Sequence, residues 1–233
     1  MDAIARNWHE FASSEALALA LAGTVAKVLG DAIAAAGKAT IAVSGGTTPG
    51  LFFRTLSREK LDWAKVTVTL IDERFVPEGE PRSNAGLVAA NLLQNEAAAA
   101  KFVGLYSEAG NVQSAAQRAN DAIAHRALPL DAAILGMGAD GHTASFFPDA
   151  NNLTALLDPA SKSNVLAVHA PSGVEPRLTL TLPRIAEAGF VALHIEGAEK
   201  RRVLETALND SAHLPVRAVF ERSRTPVQVF WAP

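Results

Sequence analysis

Leu135-Gly136-Met137-Gly138-Ala139-Asp140-Gly141-His142-Thr143-Ala144-Ser145-Phe146-Phe147-Pro148 closes an apolar run that begins at Leu130. Three glycines, an acid, an imidazole and two hydroxyls within fourteen residues are not what a packed core needs. Glycine lets a backbone turn tightly and approach a ligand closely. A strand that runs out into such a loop is where open α/β sheets hold their ligands. Asp140 and His142 stand two apart, so one turn can present both to one pocket. Imidazole is the side chain whose ordinary pKa suits proton transfer near neutrality.

Working outward, the same pattern recurs on both sides. Upstream, Ser13 is a candidate N-cap, and Leu17, Leu21, Val25, Val28, Leu29 and Ile33 recur at three- and four-residue spacing up to Gly37, which predicts an amphipathic helix. Ala39–Val43 reads as a short buried strand running into Ser44-Gly45-Gly46-Thr47-Thr48-Pro49, with a helix over Leu51–Leu56. Val66–Ile71 reads as a strand with Asp72-Glu73-Arg74 at its end, and Ser83-Asn84 opens a helix to Leu93. A helix is expected over Ser114–Arg126 and strands over Leu130–Leu135, Val165–His169, Arg177–Leu182 and Phe190–Ile195. A helix over Ala198–Leu208 and a strand over Val227–Trp231 complete the series. Strands alternating with helices predict an α/β fold, a doubly wound and mostly parallel sheet with helices on both faces. Residues 1–233 are expected to form a single domain, with the proline-bearing stretch 153–176 as a candidate lid.

Composition narrows the function classes. The chain has 233 residues, 49% hydrophobic and 19% charged, with net charge −3 and no basic block, which argues against a nucleic-acid binder. There is no cysteine, so disulfides and thiolate metal sites are excluded and a reducing compartment fits. The N-terminus lacks a basic segment followed by an apolar one, and the apolar run Ala16–Ala26 stops at Lys27, short of the roughly 20 residues a bilayer span takes. A cytoplasmic protein without a membrane partner is expected.

Polar clusters fall at the predicted strand ends. The Ser44–Thr48 loop offers backbone N–H groups and hydroxyls suited to a phosphate, although it is neither a P-loop nor a G-x-G-x-x-G turn. Taken alone, Asp72-Glu73-Arg74 reads first as a surface salt-bridge cluster, but Arg74 there can also bind phosphate or steady a developing negative charge. Arg177 and Lys200 are further cations that can join Arg74 in an anion pocket. His9, His125, His169, His194 and His213 have no motif around them, and His194, inside an apolar strand, is expected to pack. Asp-x-His without a third ligand does not make a zinc site, so no metal is expected.

Taken together, Ser44-Gly45-Gly46-Thr47-Thr48-Pro49, Asp72-Glu73-Arg74 with Val76-Pro77 and Ser83-Asn84, the glycine-Asp-Gly-His loop with Phe147-Pro148, Pro176-Arg177-Leu178-Thr179-Leu180-Thr181 and Gly197-Ala198-Glu199-Lys200 resemble the glucosamine-6-phosphate isomerase/6-phosphogluconolactonase superfamily, and its lactonase branch in particular. The resemblance implies a deaminase-like α/β fold and hydrolysis of 6-phospho-D-glucono-1,5-lactone in the oxidative pentose phosphate pathway, with no metal or organic cofactor. It implies that His142 is the base that activates water and that Asp140 positions it or the substrate. It further implies that Ser44, Gly45, Gly46, Thr47, Thr48, Asp72, Arg74, Arg177 and Lys200 contact phosphate and sugar. A small-molecule sugar-phosphate lactone is then the partner, and a monomer is expected. Two departures stand out: Thr47 where the family often has serine, and Arg82 where an acid is frequent.

The chemistry suits these residues. A lactone is an ester, so water must lose a proton as it attacks and an oxyanion must be met by donors already in place. There is no Gly-x-Ser-x-Gly elbow for a covalent route. Sugar-phosphate isomerases and deaminases of the superfamily carry a glutamate just before the proline of this loop. Phe147 stands there in this chain and cannot transfer a proton, although Asp72 leaves that alternative a base. A non-catalytic sugar-phosphate sensor is the third reading. It is disfavoured because one helix before residue 39 leaves no room for a helix-turn-helix.

Overall fold

Ser13 caps the first long helix as its sequence predicts: its hydroxyl accepts the Ala16 N–H at 3.3 Å, and Gly37 closes the helix at φ 74° with its N–H on the Ile33 carbonyl. The computed structural model describes residues 7–209 and 213–233, so the first six residues, part of the N-terminal reading, lie outside it. In chain order the elements are β1 Trp8–Glu10, α1 Ser14–Ala36, β2 Ala39–Val43, α2 Gly50–Leu56, β3 Val66–Leu70, β4 Asp72–Arg74, α3 Asn84–Asn91, β5 Lys101–Val103 and α4 Val112–Arg126. They continue with β6 Ala132–Leu135, α5 Leu153–Leu156, β7 Val165–Val168, β8 Arg177–Leu180, α6 Leu182–Ala186, β9 Phe190–Glu196, α7 Ala198–Leu208, α8 Val216–Arg222 and β10 Gln228–Ala232.

Helix α1 corrects the reading of apolar run length. Its 23 residues are long and apolar enough to cross a membrane. Here Leu17, Leu21, Val25 and Leu29 are instead fully buried in the protein core, while Lys27 and Asp31 pair at 2.6 Å on the exposed side. A stripe at i, i+4, i+8 that is completely covered by the sheet and α2 is that of a core helix.

Among the described residues the main sheet runs β1-β10-β9-β6-β2-β3-β5, and every neighbouring pair is parallel. From β2 the chain steps outward through β3 to β5, then returns to β6 on the other side of β2 and steps the opposite way through β9 to β10. Right-handed crossovers on the two sides of such a reversal put helices on opposite faces. The loops leaving the carboxyl ends of β2 and β6 diverge there and open a crevice. Those loops are Ser44–Pro49 and Gly136–Pro148, so the topology itself brings the two glycine-rich segments together.

The structure differs from the sequence reading in its second sheet. Strands β7 and β8 do not join the parallel sheet; with β4 they form an antiparallel sheet ordered β4-β8-β7. Ile71 is the junction: its N–H bonds the Val43 carbonyl in the main sheet, and its own carbonyl accepts the Leu180 N–H from β8. Asp72-Glu73-Arg74 is therefore a strand, not a loop end. Within 153–176, the candidate lid, one turn of helix and strand β7 are formed, and α4 packs across β7.

Candidate active site

The loop after β6 is folded tightly on itself. The Gly138 N–H donates to the His142 carbonyl at 2.9 Å, Gly141 turns at φ 77°, and the Thr143 hydroxyl donates to the Gly136 carbonyl at 2.7 Å. This turn brings His142 Nδ1 to 2.5 Å from Asp140 Oδ1. A carboxylate on Nδ1 fixes the proton there and leaves Nε2 with a lone pair, the tautomer a general base requires. The imidazole also rests on Phe147, with ring centroids 4.4 Å apart. Phe147 is buried, so the place that holds a glutamate in isomerases is packing here.

The Ser44–Thr48 loop, Asp72, Arg74, His142, Arg177 and Lys200 line one cavity at the carboxyl ends of β2 and β6. Asp140 is not among the residues that line it; its link to the cavity is its contact with His142. Lys200, near the start of α7, reaches across to place Nζ 3.4 Å from Thr48 Oγ1. Arg177 lies over the other side of the cavity, with its guanidinium carbon 5.4 Å from the centre of the Phe147 ring and Nη1 3.8 Å from Asp72 Oδ2. Burial pulls the Arg177 pKa below the ordinary guanidinium value, and the Asp72 carboxylate opposes that shift. Ser44 Oγ, Arg74 Nε and Arg177 Nε are buried without a partner among the described residues, which leaves these donors for an acceptor-rich ligand.

Asp72-Glu73-Arg74 is not the surface cluster its composition suggests. Glu73 is wholly buried and accepts the N–H groups of Arg74, Asn84 and Ala85, each at 2.7 Å, and the Ser83 hydroxyl at 3.1 Å. The carboxylate thus binds the N-terminus of α3 to β4. That docking sets Asn84, whose amide donates to the Asp72 carbonyl at 2.8 Å and whose side chain lines the cavity. Asp72 itself accepts the Ser145 hydroxyl at 2.6 Å. Arg74 donates to the Arg82 carbonyl, and Arg82 pairs with Glu175 at 2.9 Å on the rim.

Two polar side chains of the lining escaped the sequence reading as site residues. Asn84 opened a predicted helix and gave no chemical signal of its own. His194, expected to pack, does lie within β9 and is almost fully buried, but it lines the cavity and its Nε2 is 3.1 Å from Glu196 Oε1. An acid two residues on, on the same face of a strand, was the available signal.

Gly138 has a role visible only in three dimensions. A Cβ there would overlap the His142 ring and come within 2.5 Å of Asp140 Oδ1. Gly138→Ala is expected to displace the imidazole and lower kcat by about 10²-fold, the scale of a misplacement near 1 Å. Unfolding in urea should meanwhile stay close to wild type. Unchanged kcat in steady-state assays would mean that the pair tolerates the shift.

A doubly wound sheet whose switch-point crevice gathers an imidazole, two arginines, a lysine and a glycine-threonine loop places the protein among the α/β folds that hold their ligands at the carboxyl ends of the strands. The chain belongs to the glucosamine-6-phosphate isomerases/6-phosphogluconolactonase family, whose model matches residues 12–231. It is 58% identical to a 6-phosphogluconolactonase of Mesorhizobium japonicum over 97% of this chain and 95% of the relative. A solved 6-phosphogluconolactonase from Shewanella baltica superposes with TM-score 0.93 at 37% identity, covering 97% of both chains. A monomeric glucosamine-6-phosphate deaminase shares the fold, with TM-score 0.77 at 19% identity over 97% of each chain.

Proposed function

We propose that the protein hydrolyses 6-phospho-D-glucono-1,5-lactone to 6-phosphogluconate. The observation that carries this reading is the His142–Asp140 pair, 2.5 Å apart, opening onto the cavity that Arg177, Lys200 and the Ser44–Thr48 loop also line. The 58% identical relative named for this reaction supports it. Water held by His142 Nε2 attacks C1 of the lactone, and the imidazole takes the proton. Charge develops on the carbonyl oxygen, and Arg177, which shares the Phe147 ring with His142, is the cation beside it. The ring C–O bond then breaks, and the imidazolium returns the proton to the departing oxygen. The phosphate lies far from C1, in the Gly45–Thr48 loop with Lys200, so its binding energy is spent on aligning the ester. We assign this chemistry to one cytoplasmic, monomeric domain, and the family resemblance implies that it works without metal or organic cofactor.

Purified protein is expected to consume freshly made 6-phospho-D-glucono-1,5-lactone well above its spontaneous hydrolysis, followed by coupled oxidation of the product. Release of ammonia from glucosamine 6-phosphate at a comparable rate would overturn the assignment in favour of the isomerase and deaminase branch.

A further inference from the structure

We propose that His194 is a phosphate-binding residue of this site, held in position by Glu196. The inference rests on the reading above for where the phosphate lies, and adds a residue to that end of the cavity. His194 and Glu196 lie on the same face of β9, and α7 with Lys200 follows directly. Glu196 is clamped at both oxygens: Oε1 lies 3.1 Å from His194 Nε2, and Oε2 accepts the Ser14 hydroxyl at 2.7 Å. Both contacts, with the charge of Lys200, hold the Glu196 carboxyl below its ordinary range, so it is an anion that keeps a proton on Nε2. The ring meets Phe52 edge-on, with centroids 6.1 Å apart, and Phe52 belongs to α2, which the Ser44–Pro49 loop leads into. His194 thus sits against α2, the helix that the loop leads into, and its partner Glu196 lies in the field of Lys200.

Nδ1 of His194 has no hydrogen-bond partner among the described residues, although the side chain is only 5% exposed and lines the cavity. An imidazole in the cavity wall with one nitrogen committed to a carboxylate has its other nitrogen left for a ligand. With Nε2 committed to Glu196, Nδ1 is the ring atom left to meet a phosphate oxygen. The charged groups around it are Glu196 on its own strand and Lys200 on α7; α1 contributes the Ser14 hydroxyl, and α2 an uncharged ring. The phosphate thus meets His194, Lys200 and the loop, with Glu196 holding the ring in place.

The test compares His194→Phe, His194→Gln and Glu196→Gln with wild type. Affinity for inorganic phosphate, measured by calorimetry, is expected to fall about tenfold or more in the two His194 variants, the loss of one charge-assisted hydrogen bond. KM for the phosphorylated lactone should rise in parallel while kcat falls by less than about threefold. Preference for the phosphorylated over the phosphate-free glucono-1,5-lactone should drop by the same factor as KM rises. Glu196→Gln should give the same pattern with a smaller loss. Unchanged phosphate affinity in both His194 variants, or equal losses on the two lactones, would overturn the proposal. Phosphate binding is read without turnover, so it decides the role of His194 even if the lactone proves not to be the substrate. Gln at 194 retains a polar side chain of similar reach if Phe does not fold.

Discussion

Replacing His142 by alanine is expected to lower kcat for 6-phospho-D-glucono-1,5-lactone by about 10²–10⁴-fold, the contribution of a well-placed general base. The product 6-phosphogluconate should still bind, because the groups proposed to hold its phosphate belong to other elements: the loop after β2 and Lys200 of α7. Separating the two measurements is the point of the experiment. A variant that loses turnover and keeps product affinity has lost a group needed in the transition state, whereas one that loses both has lost the shape of the cavity. Asp140→Asn should fall between wild type and His142→Ala, since an amide can still orient Nδ1 but no longer stabilises the imidazolium. A fully active His142→Ala protein would remove the assigned base and the mechanism with it.

The second large effect is on folding. Glu73→Ala strips the acceptor from three backbone N–H groups and a hydroxyl at a wholly buried position. Each unsatisfied buried donor costs about 1–3 kcal/mol, so a loss of at least about 3 kcal/mol is expected once some donors find water. For a chain of this length that lowers Tm by about 6–12 °C. Burial holds the Glu73 pKa above its ordinary value of 4.5, against the pull of the backbone N–H groups of Asn84, Ala85 and Arg74. A raised folded pKa means that the stabilising contribution is complete below 4.5 and declines as pH rises through the folded value. The gap in unfolding free energy between wild type and Glu73→Ala should therefore be widest in acid and narrow toward neutrality, measured by urea unfolding at a series of pH values. A variant as stable as wild type at every pH would show that the clasp between β4 and α3 is not needed. Activity should fall as well, because that clasp sets Asn84 at the cavity wall.

What the sequence revealed, and what it hid, follows from how local each signal is. Helix α1 was legible because its stripe, its Ser13 cap and its Gly37 terminator lie within one segment. Strands β2, β3, β6 and β9 were legible because apolar runs ending in polar loops are what a buried parallel strand looks like. Strand β1 is three residues long, Trp8-His9-Glu10, and exists because β10 pairs with it from the far end of the chain. The antiparallel sheet was hidden for a similar reason. Asp72-Glu73-Arg74 has the composition of a loop and becomes a strand only opposite Arg177-Leu178-Thr179. The site was legible where glycine and chemistry coincide, in the loops after β2 and β6. It was not legible at Asn84 and His194, whose types are common and whose importance lies in what the fold sets beside them.

The two sheets meet covalently at Ile71, one residue that hydrogen-bonds into both. Lys200 follows β9 of the larger sheet and Arg177 opens β8 of the smaller. A molecule gripped by both is a removable strut across that seam. At a hundredfold excess over Kd, such a ligand adds about 2.7 kcal/mol to the unfolding free energy. Tm is accordingly expected to be higher with 6-phosphogluconate present than without it.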